Sequence, residues 1–485
     1  MNSPFDDAKY QALLNGLTIS EVRLSEILKD EVTIRLDAEH YKPEYFLFFQ
    51  RVRNYRRLAD FVLEGYRVIY ENTEILNIEN IKKDNYTRFI QASDIITPEI
   101  NLDTVGYVDN SDWERYPKGR VKHGEILIEV KGKAEKVAIV SNNIPLKSLV
   151  SGSLFKLSVN DQILKEYLVT YLICKYGKGF RERCKTNLLI SFINKQDLYN
   201  IPVPVFSMEF QRLIQQLFQT IEINSNISTQ SYKQAEQLLL AELGLTNWQP
   251  APQKSVVRTF AEAQHANRLD AEYFQPKYQT VIECLSKNYS IEEIGTWGKV
   301  LKGRSVEYVE DGRGIPVIRS GDLIDLDHEE HFKQGVYGQP FFYLQKGDVC
   351  ISSIGFGSIG KVQVFDKEGQ YATVSEVTVI RQKRVNPYYL QVFLQSIAGQ
   401  LQIEKWITGA TGQLHLYPRD VEKIAVPILP QEKQELFEQM ILNSRCAKEK
   451  AKSLLECAKR AVEIAIEQDE QAALAWLERS AALPR

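Results

Sequence analysis

RLDAEHYKPEY occupies residues 35–45, and RLDAEYFQPKY occupies residues 268–278. Arg-Leu-Asp-Ala-Glu is shared without a gap, and in both copies an aromatic pair and then a proline follow. Helix capping asks only for a short polar residue and a nearby acid. It does not ask for this phrase twice. Recurrence of so particular a string, nearly half a chain later, points to an internal repeat.

The echo continues in order. TRFIQASDII (87–96) answers IPVIRSGDLI (315–324), an apolar strand followed by a polar turn. HGEILIEVKGKAEKVAIV (123–140) answers KGDVCISSIGFGSIGKVQVF (346–365), each a Gly-acid step, an alternating strand, a Gly/Lys turn and a second strand, which is a β-hairpin signal. LVSGSLFKL (149–157) answers TVSEVTVIR (373–381). YLVTYLICKY (167–176) answers YLQVFLQSIA (389–398), where the apolar period changes from two to helical. DLYNIPVPVFSMEFQ (197–211) answers DVEKIAVPILPQEKQ (420–434).

After each Ile-x-Val-Pro strand a long helix is predicted. Phe210, Leu213, Ile214, Leu217, Phe218 and Ile221 form one apolar stripe, extended through Tyr232, Ala235, Leu238 and Leu239 to a stop at Gly244 and the linker NWQPAPQKS. The second stripe runs through Leu436, Phe437, Met440, Ile441, Leu454, Leu455, Ala458, Ala461, Val462 and Ala465. A helix of about 36 residues is about 54 Å long. A stripe of that length needs cover, and each helix is the natural partner of the other. The expected fold is therefore α+β: two repeated β-rich lobes, each followed by a long α-helix, the helices pairing as an antiparallel coiled coil about a pseudo-twofold. The expected segments are a leader (1–34), lobe one (35–205), spacer helix one (206–245), a linker (246–267), lobe two (268–430), and spacer helix two with a tail (431–485).

Composition sets the bounds on function. The 485 residues leave room for roughly two to four domains. With 44% hydrophobic and 25% charged residues, the chain has a globular balance. No apolar run reaches the roughly 20 residues that span a bilayer, and MNSPFDDAKYQALLNG is acidic where a secretory signal is basic and then apolar. A cytoplasmic protein with no membrane partner is expected. Cys174, Cys184, Cys284, Cys350, Cys446 and Cys457 show no CxxC spacing and are read as free thiols. The six histidines form no HxxxH or HExxH pair, so no metal is expected. A net charge of −3 excludes a uniformly basic nucleic-acid coat but not local basic footprints. Such footprints recur in both halves: RVRNYRR (51–57), Lys131, Lys133 and Lys136, the stretch KYGKGFRERCK (175–185), and Lys302, Arg304, Arg313 and Arg319.

Two stretches imitate enzymes. GFGSIG (355–360) has the spacing of a dinucleotide loop, but it leads into the strand KVQVF and not into a helix, so it reads as a hairpin turn. NPYY (386–389) lies near the Asn-Pro-Pro-Tyr of amino-methyltransferases but lacks the second proline, and Asn-Pro is an ordinary helix start. With no P-loop, no GxSxG elbow and no catalytic residues repeated with the architecture, binding is favoured over catalysis.

The layout resembles the DNA-specificity (S, HsdS) subunit of type I restriction-modification systems. The RLDAE-aromatic opening, the hairpin GDVCISSIGFGSIGKVQVF, the passage ITGATGQLHLYPRDVEKIAVPILPQEKQE (407–435) and the long helix after it carry that resemblance. It departs in lobe one, where KTNLLISF stands in place of the GATGQ stretch, and in the first 34 residues. The resemblance implies a non-catalytic subunit whose two target-recognition lobes each read half of a bipartite double-stranded DNA site. Two methyltransferase subunits, and a restriction subunit, would dock on the helices. S-adenosylmethionine, ATP and Mg would belong to those partners, with no cofactor bound by this chain. Candidate DNA contacts are Arg88, Gln91, Ser93, Lys131, Lys133, Lys136, Lys185 and Asn187 in lobe one. In lobe two they are Arg319, Ser320, Ser352, Lys361, Thr411, Gln413 and His415. Lysines would hold phosphates, and Arg, Asn, Gln and Ser would read base edges. Leu217, Phe218, Met440 and Leu454 mark the expected partner-docking helices. The alternative is a non-DNA scaffold with two protein-binding lobes on a helical strut, which salt-dependent DNA binding would separate from the first reading.

Overall fold

A computed structural model of the chain describes residues 6–28, 34–70, 73–76, 86–186, 190–250, 255–309, 312–327, 329–355, 357–409 and 414–480. Its contacts divide it into two units, residues 1–223 with 450–485, and residues 224–449.

In the first unit the central sheet is antiparallel, in the order Val62–Tyr66, Leu154–Val159, Ile126–Glu129, Val137–Ile139. A second sheet sets Thr87–Ile90 between antiparallel Gly106–Val108 and parallel Ser148–Val150. Tyr55–Arg57 pairs with Pro202–Pro204. The central sheet is covered on both faces, because alternate residues of a strand point to opposite sides. Ile126 and Ile128 join a core with the helices Lys165–Ile173 and Lys175–Arg183, while Leu127 joins another core with Ile90 and Val150 of the second sheet. This explains why ILIE at 126–129 is buried throughout.

The second unit has the same plan. Its central sheet runs Gly298–Lys302, Val377–Gln382, Val349–Ser352, Val362–Val364. In its second sheet Ile315–Ile318 lies between antiparallel Lys333–Gly335 and parallel Ala372–Thr373, and Ile291–Glu293 pairs with Ala425–Pro427. Val349 and Ile351 face the helices Pro387–Gln395 and Ile397–Trp406, and Cys350 faces the other sheet. NPYY is a helix start, with the Asn386 side chain accepting from the Tyr388 and Tyr389 amides. GFGSIG joins two antiparallel strands as expected of a hairpin, its Gly355 and Gly360 in left-handed conformation.

The repeat extends to single hydrogen bonds. Tyr167 Oη donates to the Pro204 carbonyl at 2.8 Å, and Tyr389 Oη to that of Pro427 at 2.6 Å. Gln211 and Gln434, both buried, each accept from a backbone amide at the start of a lobe helix (Leu164, 2.9 Å; Asn386, 2.7 Å). Each also donates to a carbonyl just before its own long helix (Phe206, 3.0 Å; Leu429, 2.7 Å). One side chain thus locks each long helix to its lobe.

The long helices are Met208–Glu242 and Gln431–Glu467. In the first unit Phe210, Ile214, Leu217, Phe218 and Ile221 share a core with Ala451, Leu454, Ala458, Ala461 and Val462. In the second, Ala235, Leu239 and Leu243 share one with Phe437 and Ile441. The start of the first helix meets the end of the second and its end meets the start, so the pair is antiparallel. The second helix stops at Glu467 without Gly or Pro. Asp469 caps a further helix, Glu470–Arg479, by accepting from the Ala472 amide at 2.8 Å. That helix buries Ala473 and Leu477 in the first unit's core.

This packing corrects the docking residues expected above. Leu217, Phe218 and Leu454 are buried, and Met440 is half-buried against the second unit's core. They are spent on holding the helices to each other and to the lobes.

Candidate nucleic-acid interface

Three segments of each unit come together beyond the central sheet. In the first unit they are the turn 91–94, the hairpin tip 130–136 and the two ends of a loop, residues 186 and 190–192. The turn is built by Asp94, whose carboxylate accepts from the Gln91 amide at 2.7 Å. Burial opposes its charge and raises its pKa. Lys136 Nζ reaches the Ser93 carbonyl at 3.4 Å, joining hairpin to turn. Lys131 pairs with Phe192, and the Gly132 amide donates to the Ser191 carbonyl at 2.9 Å, joining hairpin to loop.

The second unit repeats the turn and the join of hairpin to loop. Asp322 accepts from the Arg319 amide at 2.8 Å, so Arg319 takes the place of Gln91. Ile354 pairs with His415, and the Gly355 amide donates to the Leu414 carbonyl at 3.3 Å. Despite unrelated sequences, the two loops are closed alike. The Thr186 amide donates to the Phe192 carbonyl at 3.0 Å, and Thr408 and His415 exchange two backbone bonds of 2.9 and 2.8 Å.

Each hairpin tip is braced from below by a helix, with a different residue in each unit. Arg181 is 1% exposed, and its guanidinium donates to the carbonyls of Leu172, Ala134 and Glu135 at 3.2, 2.7 and 3.1 Å. Burial lowers its pKa to about 10. In the second unit Gln400 donates to the Leu394 and Gly360 carbonyls at 2.8 and 2.9 Å. Arg181, read from sequence as part of a basic surface, is therefore internal. Only a comparison of the lobes' helices with their hairpins could have found this.

Residues 286–439, most of the second unit, match the family model described as the type I restriction modification DNA specificity domain. The second lobe is thus similar to that domain over those residues. No curated protein matches the chain. Among solved structures, the chain is similar to the type I S subunit of M. genitalium, at 13% identity and TM-score 0.42, covering 85% of this chain and 94% of that one. It is also similar to the HsdS subunit of Thermoanaerobacter tengcongensis, at 14% identity and TM-score 0.28, covering 86% and 97%.

The matched residues contain much of the turn–hairpin–loop cluster of the second unit. Within it, Arg319, Ser320, Lys361 and His415 lie on the three segments and are half-buried. The Arg319 guanidinium is clamped by Asp322 at 3.1 and 3.0 Å, which fixes its direction and raises its pKa. His415 stacks on Tyr417 with ring centroids 5.8 Å apart. Ser352 is a correction: it is fully buried on the strand Val349–Ser352 and has no surface to offer DNA. Period two explains the miss, since both faces of that strand are covered. Thr411 and Gln413 lie outside the described residues.

In the first lobe Ser93, Lys131 and Lys133 are exposed, and Gln91, Lys136 and Lys185 are half-buried. Arg88 sits on the strand Thr87–Ile90 with its guanidinium 5.6 Å from the Tyr107 ring centroid. Asn187 lies outside the described residues. Among the described residues no cluster of His, Cys, Asp and Glu could hold a metal, and no helix is long and apolar enough to cross a membrane. Cys174 and Cys350 are buried thiols whose pKa burial pushes up, that of Cys174 to about 12.

Proposed function

We propose that this chain is the sequence-reading subunit of a type I restriction-modification complex in the cytoplasm. Each lobe reads one half of a bipartite duplex target, and the paired helices hold the spacing. Two methyltransferase subunits and a nuclease-translocase subunit are directed to that target. S-adenosylmethionine, ATP and Mg belong to those partners. The single observation supporting this is that the turn–hairpin–loop cluster of the matched specificity domain recurs in the first lobe. Two half-sites multiply two modest readings, with each base pair worth about 1–3 kcal/mol.

Lysines on the hairpins hold phosphates and set register, and Arg319 and Gln91 occupy the corresponding place for reading base edges. The test is a binding screen of the reconstituted complex against a randomised bipartite library at several salt concentrations. A preference for two separated half-sites, with affinity falling steeply with salt, is expected. K361A should weaken binding to all sequences and flatten the salt slope by about one, whereas R319A should relax one half-site. Salt-independent binding without sequence preference would replace this reading with the scaffold.

A further inference from the structure

The repeated phrase does the same mechanical work in both lobes. In the second, Arg268 Nε and Nη2 grip the Asp270 carboxylate at 2.5 and 3.0 Å. Nη2 also donates to the Ile407 carbonyl at 3.2 Å. In the first, Arg35 Nε and Nη2 grip Asp37 at 2.6 and 2.7 Å, and Nη2 donates to the Lys185 carbonyl at 2.7 Å. Ile407 and Lys185 are corresponding residues: each immediately precedes the threonine, Thr408 or Thr186, that closes the loop neck. A planar fork bound at two points to its own carboxylate has few orientations left, so its remaining contact holds the carbonyl at a set place. The loops differ in sequence and the straps do not.

We infer that Arg35 and Arg268, each with the aspartate two residues on, are positioning residues that hold the loop neck of their own lobe and so set half-site specificity without touching DNA. This rests on reading the lobes as half-site readers. A loop that contacts bases discriminates only while its supports keep it in place. The strap attaches at the end of the loop away from the hairpin, which already holds the other end through Ile354–His415 and Lys131–Phe192. The loop is thus fixed at both feet.

The test has two arms. In the first, amide exchange at Thr408 and His415 is followed in the full chain, as wild type, R268A and D270N. In the second, the assembled complexes are screened against the bipartite library. R268A should speed exchange at those two amides by about tenfold while the Val377–Gln382 strand stays protected. It should lower discrimination at one half-site by about tenfold and spare the other. R35A should do the reverse. R268K keeps the charge without the fork and should recover only part of the discrimination. Should R268A fail to fold, D270N carries both readouts. Unchanged exchange in the variants overturns the inference whatever DNA does, as does equal relaxation of both half-sites. A wild type without sequence preference overturns the reading of function instead, and leaves the exchange result standing.

Discussion

Replacing Arg181 with Met removes a dry guanidinium from beneath the first lobe's hairpin, and the two consequences oppose each other. The carbonyls of Leu172, Ala134 and Glu135 lose their donor. At about 1 kcal/mol for each orphaned acceptor, the loss is about 3 kcal/mol. Against it stands relief from burying a cation that makes no ion pair among the described residues. The fall of its pKa from 12.5 to about 10 corresponds to about 3 kcal/mol against the charged form. Met fills a similar path through the core, so packing changes little. The two contributions oppose each other and partly cancel, so urea unfolding should show a midpoint that moves less than the three lost hydrogen bonds alone would move it, at constant slope. The hairpin tip, however, loses its brace from below and keeps only its joins to the turn and the loop. The backbone that carries Lys131 and Lys133 is less firmly placed, and DNA affinity of the complex should fall about tenfold with a shallower salt slope. A loss above about 3 kcal/mol at unchanged affinity would refute the cancellation and make Arg181 a plain stabilising residue.

Leu217→Asp places a carboxylate in a fully buried site facing the second long helix and should cost at least about 3 kcal/mol in the first unit, read by urea unfolding. Gly399→Ala would bring a methyl within 2.3 Å of the Phe393 carbonyl oxygen and 2.4 Å of Leu394 Cα, which are backbone and cannot step aside. A loss of about 2–3 kcal/mol is expected by the same assay, and Gly177, 2.1 Å from the Tyr171 oxygen, should behave alike. Asp37 and Asp270 are held below the usual carboxylate range chiefly by hydrogen bonds from Arg35 and Arg268. Because the folded value is depressed, their contribution is complete above the unfolded carboxylate range and is lost as pH falls through the folded value. Once corrected for its intrinsic pH dependence, amide exchange at Thr186 and Thr408 should be flat from pH 7 to about 5 and rise only below about 4.

What was legible in the sequence was whatever both lobes spell alike. The Gly-acid steps became Gly124–Glu125 and Gly347–Asp348, both glycines left-handed, and the switch from period two to helical fell where the paired helices begin. The antiparallel long helices were legible because a stripe of that length has few ways to be covered. Hidden were contacts that the lobes make with different letters. Arg181 and Gln400 share a role but not a position in the alignment, and Thr186 and Thr408 close loops with no common sequence around them. Ser352 looked like a loop residue because its strand runs one step further than the hairpin's glycines suggest. The stop at Glu467 was invisible because Asp469 is an ordinary residue until its side chain caps a new helix.

The first unit is assembled from the chain's first 223 residues and from residues 450 onward. Ala451, Leu454, Ala458, Val462, Ala473 and Leu477 all fill its core. On the ribosome the lobe made first is therefore the lobe finished last, and it waits, with the stripe of Phe210 to Ile221 uncovered, until the whole of the second unit has been synthesised. The second unit, residues 224–449, is continuous and waits for nothing downstream. A chain cut short near residue 449 should carry a sound second lobe and a damaged first one, so loss of the C-terminus would be felt at the opposite end of the sequence.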